Sequence, residues 1–147
     1  MMKKIVIVSG YFNPLHIGHV HYIEGAKKLG DFLIAIVNND EQVKIKGSMP
    51  FLSENERVEI VKSIKYVDVV YLSIDKDETV SKSLEAVAEK YPGQLILARG
   101  AGRNADNVSE SEKQFCKKFN IETIYGVGGE KIQNSSWLLK KVIKENS

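Results

Sequence analysis

A short turn between an apolar run and a periodic apolar segment constrains this chain most strongly. The run Ile5-Val6-Ile7-Val8 has the length and composition of a buried strand. The segment after the turn repeats apolar residues at helical spacing, at positions 20, 23, 26 and 29. The turn itself, residues 10–19, carries two glycines, a proline and two histidines. In an open α/β sheet this is where ligands bind, beyond the carboxyl end of a strand and at a helix start.

The rest of the chain repeats the same order of a strand followed by a helix. Apolar runs predict strands at residues 3–9, 32–37, 67–72, 95–98 and 121–125. Helical patterns follow them at about 17–30, from 53, from 80, from 109 and at about 134–144, with a loop at 42–50 and a flexible connection at 126–129. The strands do not alternate in polarity, which is typical of strands that helices cover on both faces. The pattern predicts one doubly wound α/β domain over residues 1–147, with a five-stranded parallel sheet in an α/β/α sandwich.

Composition excludes several classes of partner. The net charge of +2 gives no reason to expect nucleic acid or a membrane surface. The single cysteine, Cys116, can form no internal disulfide, and no Cys/His spacing typical of a metal site is present. The apolar neighbours of Cys116 predict a core thiol. No apolar run is long enough to cross a bilayer and no cleavage site follows the first residues, so we expect a cytoplasmic protein.

Two histidines in the turn point to an anion site. His16 and His19 are three residues apart at a predicted helix start, so both imidazoles can face one spot in front of the strand. Gly10 and Gly18 let the backbone approach a ligand. The amides of the first helical turn favour an anion, and imidazole N–H groups donate to phosphate oxygens. Two histidines that only cap or pack are the alternative, but the spacing and the glycines favour phosphate.

The turn resembles the H-x-G-H signature of the cytidylyltransferase-like nucleotidyltransferase superfamily. Residues 26–31, 37–40, 46–47, 56–57 and 66–68 follow in the order of that family, so the resemblance covers nearly the whole chain. The order is most similar to glycerol-3-phosphate cytidylyltransferases and heptose-1-phosphate adenylyltransferases. The resemblance implies a Rossmann-like domain that moves AMP or CMP from a nucleoside triphosphate to a phosphorylated small molecule, with release of pyrophosphate. Such an acceptor arrives already ionised, so no strong general base is required.

The resemblance also implies roles for single residues. His16 is expected to contact the β- or γ-phosphate and His19 the transferred α-phosphate. Lys46 is expected to neutralise phosphate, and Arg57 to face the phosphate of the substrate. These four form the expected catalytic set. Mg²⁺ is expected to be held mainly by the phosphates, with no metal ligand from the protein. For Lys46 the open alternative is a solvated loop, and for Arg57 it is a surface ion pair.

Arginines and a last helix start extend the expected nucleotide site. Arg99 and Arg103 are similar to the R-G-x-R loop of phosphopantetheine adenylyltransferases, although a solvated surface turn stays open. Residues 134–136 stand where the family has I-S-[ST]-[ST], but any helix prefers such caps. The expected nucleotide-binding residues are Gly10, Tyr11, Phe12, His16, Gly18, His19, Arg99, Asn134, Ser135 and Ser136. The expected acceptor-binding residues are Lys44, Lys46, Arg57 and Arg103.

The sequence leaves the acceptor open. A sugar or polyol phosphate is the first expectation, and FMN or a pantetheine phosphate is the alternative that the Arg99 segment favours. A non-catalytic nucleotide-binding module on the same fold is the alternative from another class. The choice between ATP and CTP is also open, because backbone groups and pocket shape usually make it. Dimers are common among the resembled enzymes, so a homodimer is one assembly to test.

Overall fold

Strands and helices alternate along the chain in a computed structural model, which describes residues 3–101, 103–129 and 135–145, without the side chains of residues 135–139. In chain order the elements are β1 (Lys4–Gly10), α1 (Ile17–Lys27), β2 (Phe32–Val37), α2 (Asp40–Ile45), α3 (Glu54–Lys62), β3 (Val69–Leu72), α4 (Ser81–Lys90), β4 (Gln94–Gly100), α5 (Glu110–Lys118), β5 (Glu122–Val127) and α6 (Ser135–Glu145). In this described part of the chain, no helix is both long and apolar enough to cross a membrane.

The strands form one parallel sheet with β1 at its centre. The order across the sheet is β3-β2-β1-β4-β5, and all four neighbouring pairs are parallel. The chain winds from β1 through β2 to β3 on one side, and then crosses to β4 and β5 on the other. The direction of winding therefore reverses between β1 and β4, which is the switch point where open α/β sheets bind ligands. The predicted Rossmann-like fold is confirmed.

Both faces of the sheet are buried, which explains why the strands do not alternate in polarity. Val6 and Val8 of β1 pack in one core with residues of α1 and α3, including Ile23, Ala26 and Val61. Ile5 and Ile7 point to the opposite face and pack with residues of α4 and α5, including Leu84, Val87 and Cys116. Successive residues of a strand point to opposite faces, so one apolar run can supply two cores. The predicted core position of Cys116 is confirmed.

The segment after β2 differs from the predicted loop, because a short helix occupies residues 40–45. Asn39 caps it, and its side chain accepts a hydrogen bond from the backbone N–H of Gln42 at 2.9 Å. The side-chain oxygen of Gln42 in turn accepts from the backbone N–H of Asn39 at 3.0 Å. This reciprocal cap satisfies two backbone donors at once. Lys44 therefore lies on a helix, and Lys46 is the residue that ends it.

Several predicted boundaries shift by a few residues. Helix α1 ends at Lys27, and β3 begins at Val69. Strand β4 continues to Gly100, so Arg99 lies in the strand and not in the loop that follows. Strand β5 continues through Gly126 to Val127, with an irregular register against β4, so only the end of the predicted flexible connection is a connection. These shifts place the Arg99 side chain directly at the switch point.

Candidate active site

The crevice at the switch point opens where β1 and β4 separate. Pairing of β1 with β2 continues to Gly10, but pairing with β4 ends at Ile7. Past that point the Tyr22 hydroxyl bridges the two strands. It accepts from the backbone N–H of Ser9 at 3.3 Å and donates to the carbonyl of Ala98 at 2.5 Å. Helix α1 thus stands in front of the gap, because its buried tyrosine satisfies backbone groups that the sheet has left unpaired.

The two histidines begin helix α1. His16 is the cap residue, and its Nδ1 accepts from the backbone N–H of Gly18 at 3.1 Å. His19 Nδ1 accepts from the backbone N–H of His16 at 3.1 Å, so the pair forms a reciprocal cap. The rings stack with their centroids 3.8 Å apart and an angle of 23° between their planes. The sequence predicted that both imidazoles face one spot, and the stacked geometry brings them together.

These caps decide where each imidazole carries its proton. A nitrogen that accepts a hydrogen bond from a backbone N–H carries no proton, so Nδ1 is bare in both His16 and His19. The proton of each neutral ring therefore resides on Nε2, on the side of the ring away from the backbone. The result is two stacked imidazoles that each have an Nε2–H donor, which is the group that a phosphate oxygen requires.

His19 is held neutral by its surroundings. Burial is the main reason that its pKa is lowered to about 3, and the neighbouring His16 and the charge of Lys46 contribute less. The edge of the Phe12 ring contacts the His19 ring at a centroid distance of 5.0 Å, and Phe12 itself is buried. Gly10 makes room for Phe12, because a Cβ there would lie 3.0 Å from the end of the phenyl ring. Gly10 and Phe12, which were expected to bind nucleotide, thus also pack together in a way that shields His19 from water.

Lys46 supplies a positive charge beside this pair. Its ammonium lies 4.3 Å from the centre of the Tyr11 ring, over the aromatic face. Tyr11 directly follows Gly10 and is half-buried, so the contact places Lys46 at the mouth of the turn. Lys44 lies exposed on α2, and no described contact connects its side chain with the turn. The structure therefore brings Lys46 to the site and leaves Lys44 as an untested expectation.

Arg57 has a different environment from the one that the sequence led us to expect. It is 1% exposed and makes four hydrogen bonds within the protein. The acceptors are the carbonyls of Leu52, Tyr11 and Asn38 and the carboxylate of Asp40, at 3.1, 2.7, 2.6 and 2.7 Å. Four of the five guanidinium N–H donors are therefore engaged. These contacts favour a role in which Arg57 fixes the framework around the turn, over direct contact with a substrate phosphate.

Asn13 is a second fixing residue, and the sequence analysis gave it no role of its own. Its buried side chain donates to the carbonyl of Met49 at 2.8 Å and accepts from the backbone N–H of Phe51 at 2.7 Å. The segment after α2, which follows Lys46, is thereby tied to the phosphate turn. A buried carboxamide inside a turn is the signal that could have identified it, because buried polar groups require partners.

Arg99 stands on the opposite side of the crevice. It donates to the Ser9 hydroxyl at 2.8 Å and pairs with the carboxylate of Glu112 on α5. Its Nε is buried and has no hydrogen-bond partner among the described residues. Burial lowers the pKa of Arg99, as does the nearby charge of Arg103, which is itself exposed. Ser109 caps α5 by accepting a hydrogen bond from the backbone N–H of Glu112, while the Glu112 side chain reaches the arginine.

The last expected nucleotide contact falls at the edge of the described structure. Asn134 lies outside the described residues. Ser135 begins helix α6, close to the predicted helix start, while the side chains of Ser135 and Ser136 are not described. In the described part of the chain, no group of three or more His, Cys, Asp or Glu residues comes together as a metal site would require.

Comparison with known proteins gives a consistent result. The model of the family described as Cytidylyltransferase-like matches residues 7–145. A relative named FAD synthase, from Thermococcus sibiricus, is 35% identical over 147 residues, which cover 97% of this chain and 95% of that protein. A second relative is the Bifunctional protein HldE of Citrifermentans bemidjiense, which is 32% identical over 143 residues. That match covers 96% of this chain but only 27% of the longer HldE protein.

A solved structure agrees in fold and in sequence. The lipopolysaccharide core biosynthesis protein from Thermoplasma volcanium superposes with a TM-score of 0.67 and is 28% identical. The superposition covers 89% of this chain and 100% of that chain. The similarity therefore extends over the whole architecture and is not limited to the histidine turn.

Proposed function

This chain belongs to the cytidylyltransferase-like family of nucleotidyltransferases, and we propose on that basis that it transfers the AMP group of ATP to FMN. The products of this reaction are FAD and pyrophosphate. The choice of FMN rests on the FAD synthase relative, which matches nearly end to end. The proposal replaces the first expectation from the sequence, a sugar or polyol phosphate, with the flavin alternative.

The observation that supports nucleotidyl transfer most strongly is the stacked pair of His16 and His19. Both imidazoles have Nδ1 committed to the helix start, so both direct an Nε2–H donor away from it. Two fixed neutral donors suit a triphosphate whose negative charge shifts during transfer, since fixed donors need no reorganisation as charge develops. The helix N-terminus behind them adds a favourable dipole for the same charge.

The chemistry needs positioning more than it needs proton transfer. A phosphate oxygen of FMN attacks the α-phosphorus of ATP, and a new P–O bond forms. The bond between the α-phosphorus and the bridging oxygen breaks, and the electron pair leaves with pyrophosphate. The attacking oxygen is already ionised, so no side chain has to remove a proton. His19 is proposed to donate to the α-phosphate and His16 to the β- or γ-phosphate, while Lys46 offsets the charge of the two anions.

The remaining nucleotide contacts are proposed for the β4 side of the crevice. Arg99 already lies at the switch point, and its Nε–H has no partner within the described part of the chain, so its guanidinium can still donate to a phosphate. Arg103 is exposed nearby. Helix α6, which begins at Ser135, is the next element in the chain after β5. Mg²⁺ is proposed to arrive on the triphosphate, because the described residues offer it no cage.

A second candidate acceptor is a heptose phosphate. It is supported by the HldE relative, whose match spans 96% of this chain. The FMN proposal has more support, because the chain spans almost the full FAD synthase protein but only a quarter or so of HldE, 27% by length. A non-catalytic module is not favoured, since the family is described as Cytidylyltransferase-like and the first relative is named a synthase.

A direct assay separates these acceptors. The protein is incubated with Mg²⁺, with ATP or CTP, and with FMN, a heptose phosphate, glycerol 3-phosphate or phosphopantetheine, while pyrophosphate is measured and products are weighed by mass spectrometry. We expect pyrophosphate and FAD from ATP with FMN. Turnover of another acceptor with none of FMN would reject the flavin assignment, and a lack of turnover on every pair would reject the transferase assignment. Sedimentation of the same sample tests whether the protein forms a homodimer.

A further inference from the structure

The loop between β3 and α4, residues 73–80, follows the carboxyl end of β3, at the same edge of the parallel sheet as the histidine turn. It lies on the other side of β1 from β4, the strand that carries Arg99. The Asn39 side chain fastens its beginning by donating to the carbonyls of Ser73 and Asp75 at 3.1 and 3.0 Å. The buried carboxylate of Asp75 then accepts from the backbone N–H and the hydroxyl of Ser83 at 3.0 and 2.5 Å, at the start of α4. This loop is therefore held from both ends by polar contacts and is not a loose connection.

A buried amide fixes the tip of the loop. Gln42 is completely buried, and its Nε2 donates to the carbonyls of Asp77 and Thr79, both at 2.8 Å. The two carbonyls lie on either side of Glu78. Gln42 belongs to α2, which ends at Lys46, so one side chain couples the Lys46 helix to the Glu78 loop. Their relative positions are set by a single buried group.

Glu78 occupies the apex of a tight turn. The Asp77 carboxylate accepts from the backbone N–H and the hydroxyl of Thr79, at 3.0 and 2.6 Å, which closes the turn around the residue between them. The Glu78 side chain is exposed, and among the described residues its carboxylate makes no hydrogen bond or ion pair. A carboxylate that a built turn presents without a partner is available to a ligand.

The Glu78 carboxylate acts electrostatically on Tyr11, which lies at the mouth of the histidine turn. Its negative charge raises the pKa of Tyr11, second in effect to burial, while the charge of Arg103 opposes it. Lys46 lies over the face of the same ring at 4.3 Å. Lys46 thus lies against the Tyr11 ring, and the charges of Glu78 and Arg103, which belong to two other loops, act on the Tyr11 hydroxyl. The cations suit a phosphate, but the anion does not, so Glu78 requires a different part of the ligand.

We propose that Glu78 is a specificity-determining residue, which accepts hydrogen bonds from hydroxyl or ring N–H donors of the acceptor next to the acceptor's phosphate. This inference rests on the proposed function, because it assumes that the acceptor binds beside Tyr11 and Lys46. A fixed carboxylate favours acceptors with donors at that position and disfavours acceptors with a second anionic group, since like charges repel. Both the ribityl hydroxyls of FMN and the hydroxyls of a sugar phosphate meet this requirement.

Steady-state kinetics of three variants tests the inference. Glu78→Ala removes the acceptor atom, Glu78→Gln keeps an oxygen but removes the charge, and Glu85→Ala is the control, an exposed glutamate on α4. For Glu78→Ala we expect kcat/KM for the acceptor to fall about 10-fold, with the KM for ATP changed by less than about twofold. Glu78→Gln should lie between Ala and the unaltered protein, and the control should match the unaltered protein.

The second readout is discrimination between acceptors. The ratio of kcat/KM for the monophosphorylated acceptor to that for a bisphosphorylated analogue should fall in both Glu78 variants, because the repelling charge is gone. An unchanged acceptor kcat/KM and an unchanged ratio in Glu78→Ala would overturn the inference while leaving the transferase assignment intact. If the unaltered protein uses a phosphorylated acceptor other than FMN, the flavin proposal fails and the same variants are measured on that acceptor. A protein without turnover on any acceptor overturns both.

Discussion

Two arginines on opposite sides of the histidine turn show how differently one residue type can be used. Arg57, on the β2 side, is buried and donates four hydrogen bonds to the protein. Arg99, on the β4 side, makes contacts with Ser9 and Glu112, and its Nε has no partner among the residues that the structure describes. Arg57 therefore fixes the backbone around the histidine turn, whereas Arg99 keeps an N–H group that can donate a hydrogen bond at the crevice.

The difference extends to the loops on each side. On the β2 side, buried side-chain amides form hydrogen bonds with the backbone of neighbouring loops. Asn13 bonds to the backbone at Met49 and Phe51, and Gln42 bonds to the carbonyls of Asp77 and Thr79. On the β4 side, the described residues from 103 to 107 are exposed and bond mainly to one another. We infer that the acceptor side is built in advance, whereas the nucleotide side retains groups that can adjust to the triphosphate.

Replacement of Arg57 should have the largest effect and should fall on stability. Arg57→Met leaves the Asp40 carboxylate and three carbonyls without their donor, so we expect a loss of about 3–5 kcal/mol in the free energy of unfolding. Chemical denaturation measures it, with Lys62→Met, an exposed change on the same helix, as the control. A variant that keeps its stability and loses only acceptor turnover would place Arg57 in contact with substrate. The proposed difference between Arg57 and Arg99 would then be wrong.

The pH dependence of stability should reveal the half-buried His19 between the two sides. The unfolded chain protonates His19 below its ordinary pKa of about 6.5, whereas the folded protein does so only at about 3. The unfolded state therefore binds more protons in this window, and stability is lost as the pH falls through it, by at most about 1.4 kcal/mol per pH unit. His19→Asn should flatten the curve of unfolding free energy between about pH 6 and about pH 4. Identical slopes in both proteins would contradict a neutral His19.

Tyr22→Phe tests how much the Tyr22 hydroxyl contributes to stability where it bridges β1 and β4 beside the crevice. The change removes the hydroxyl that satisfies Ser9 and Ala98, so we expect a loss of about 1–3 kcal/mol in the free energy of unfolding. Tyr66→Phe is the control, because that hydroxyl pairs with the half-buried carboxylate of Glu24, which water still reaches, and should matter less. Equal, small effects in the two variants would mean that the bridge contributes little.

Arg99→Lys should have the smallest effect on stability and a clear effect on nucleotide use. A lysine keeps the charge near Glu112 but lacks the planar fork, so we expect the KM for ATP to rise about tenfold, equivalent to about 1.4 kcal/mol. The acceptor KM should stay nearly constant, and Arg103→Lys serves as the matched comparison on the same side. A larger rise in the acceptor KM than in that for ATP would reverse the assignment of the two sides.

Local patterns in the sequence were enough to predict the sheet, the helix start at the histidines and the core position of Cys116. Apolar runs without alternation reflect burial on both faces, and this property is visible in one short window. The histidine spacing likewise specifies a shared helix face. The short helix α2 was missed because its start depends on the reciprocal bonds of Asn39 and Gln42, which an ordinary polar turn resembles in sequence.

The arginine contacts could not be predicted, because they depend on tertiary neighbours. The acceptors of Arg57 come from Tyr11, Asn38 and Leu52, which lie in three separate segments of the chain. Glu112 lies in the first turn of α5, and only the fold brings its carboxylate to Arg99. Charged residues are usually solvated, so the sequence alone favoured substrate or solvent for Arg57 over burial.

The central element of this account is a pair of neutral imidazoles that carry their protons on Nε2. Nitrogen-15 chemical shifts of His16 and His19, followed by NMR from about pH 7.5 to about pH 4, test it most directly. We predict that both rings show bare Nδ1 and protonated Nε2 at neutral pH, and that His19 keeps this state to the acid end of the series. A His19 that titrates near pH 6.5, or that carries its proton on Nδ1, would contradict the account.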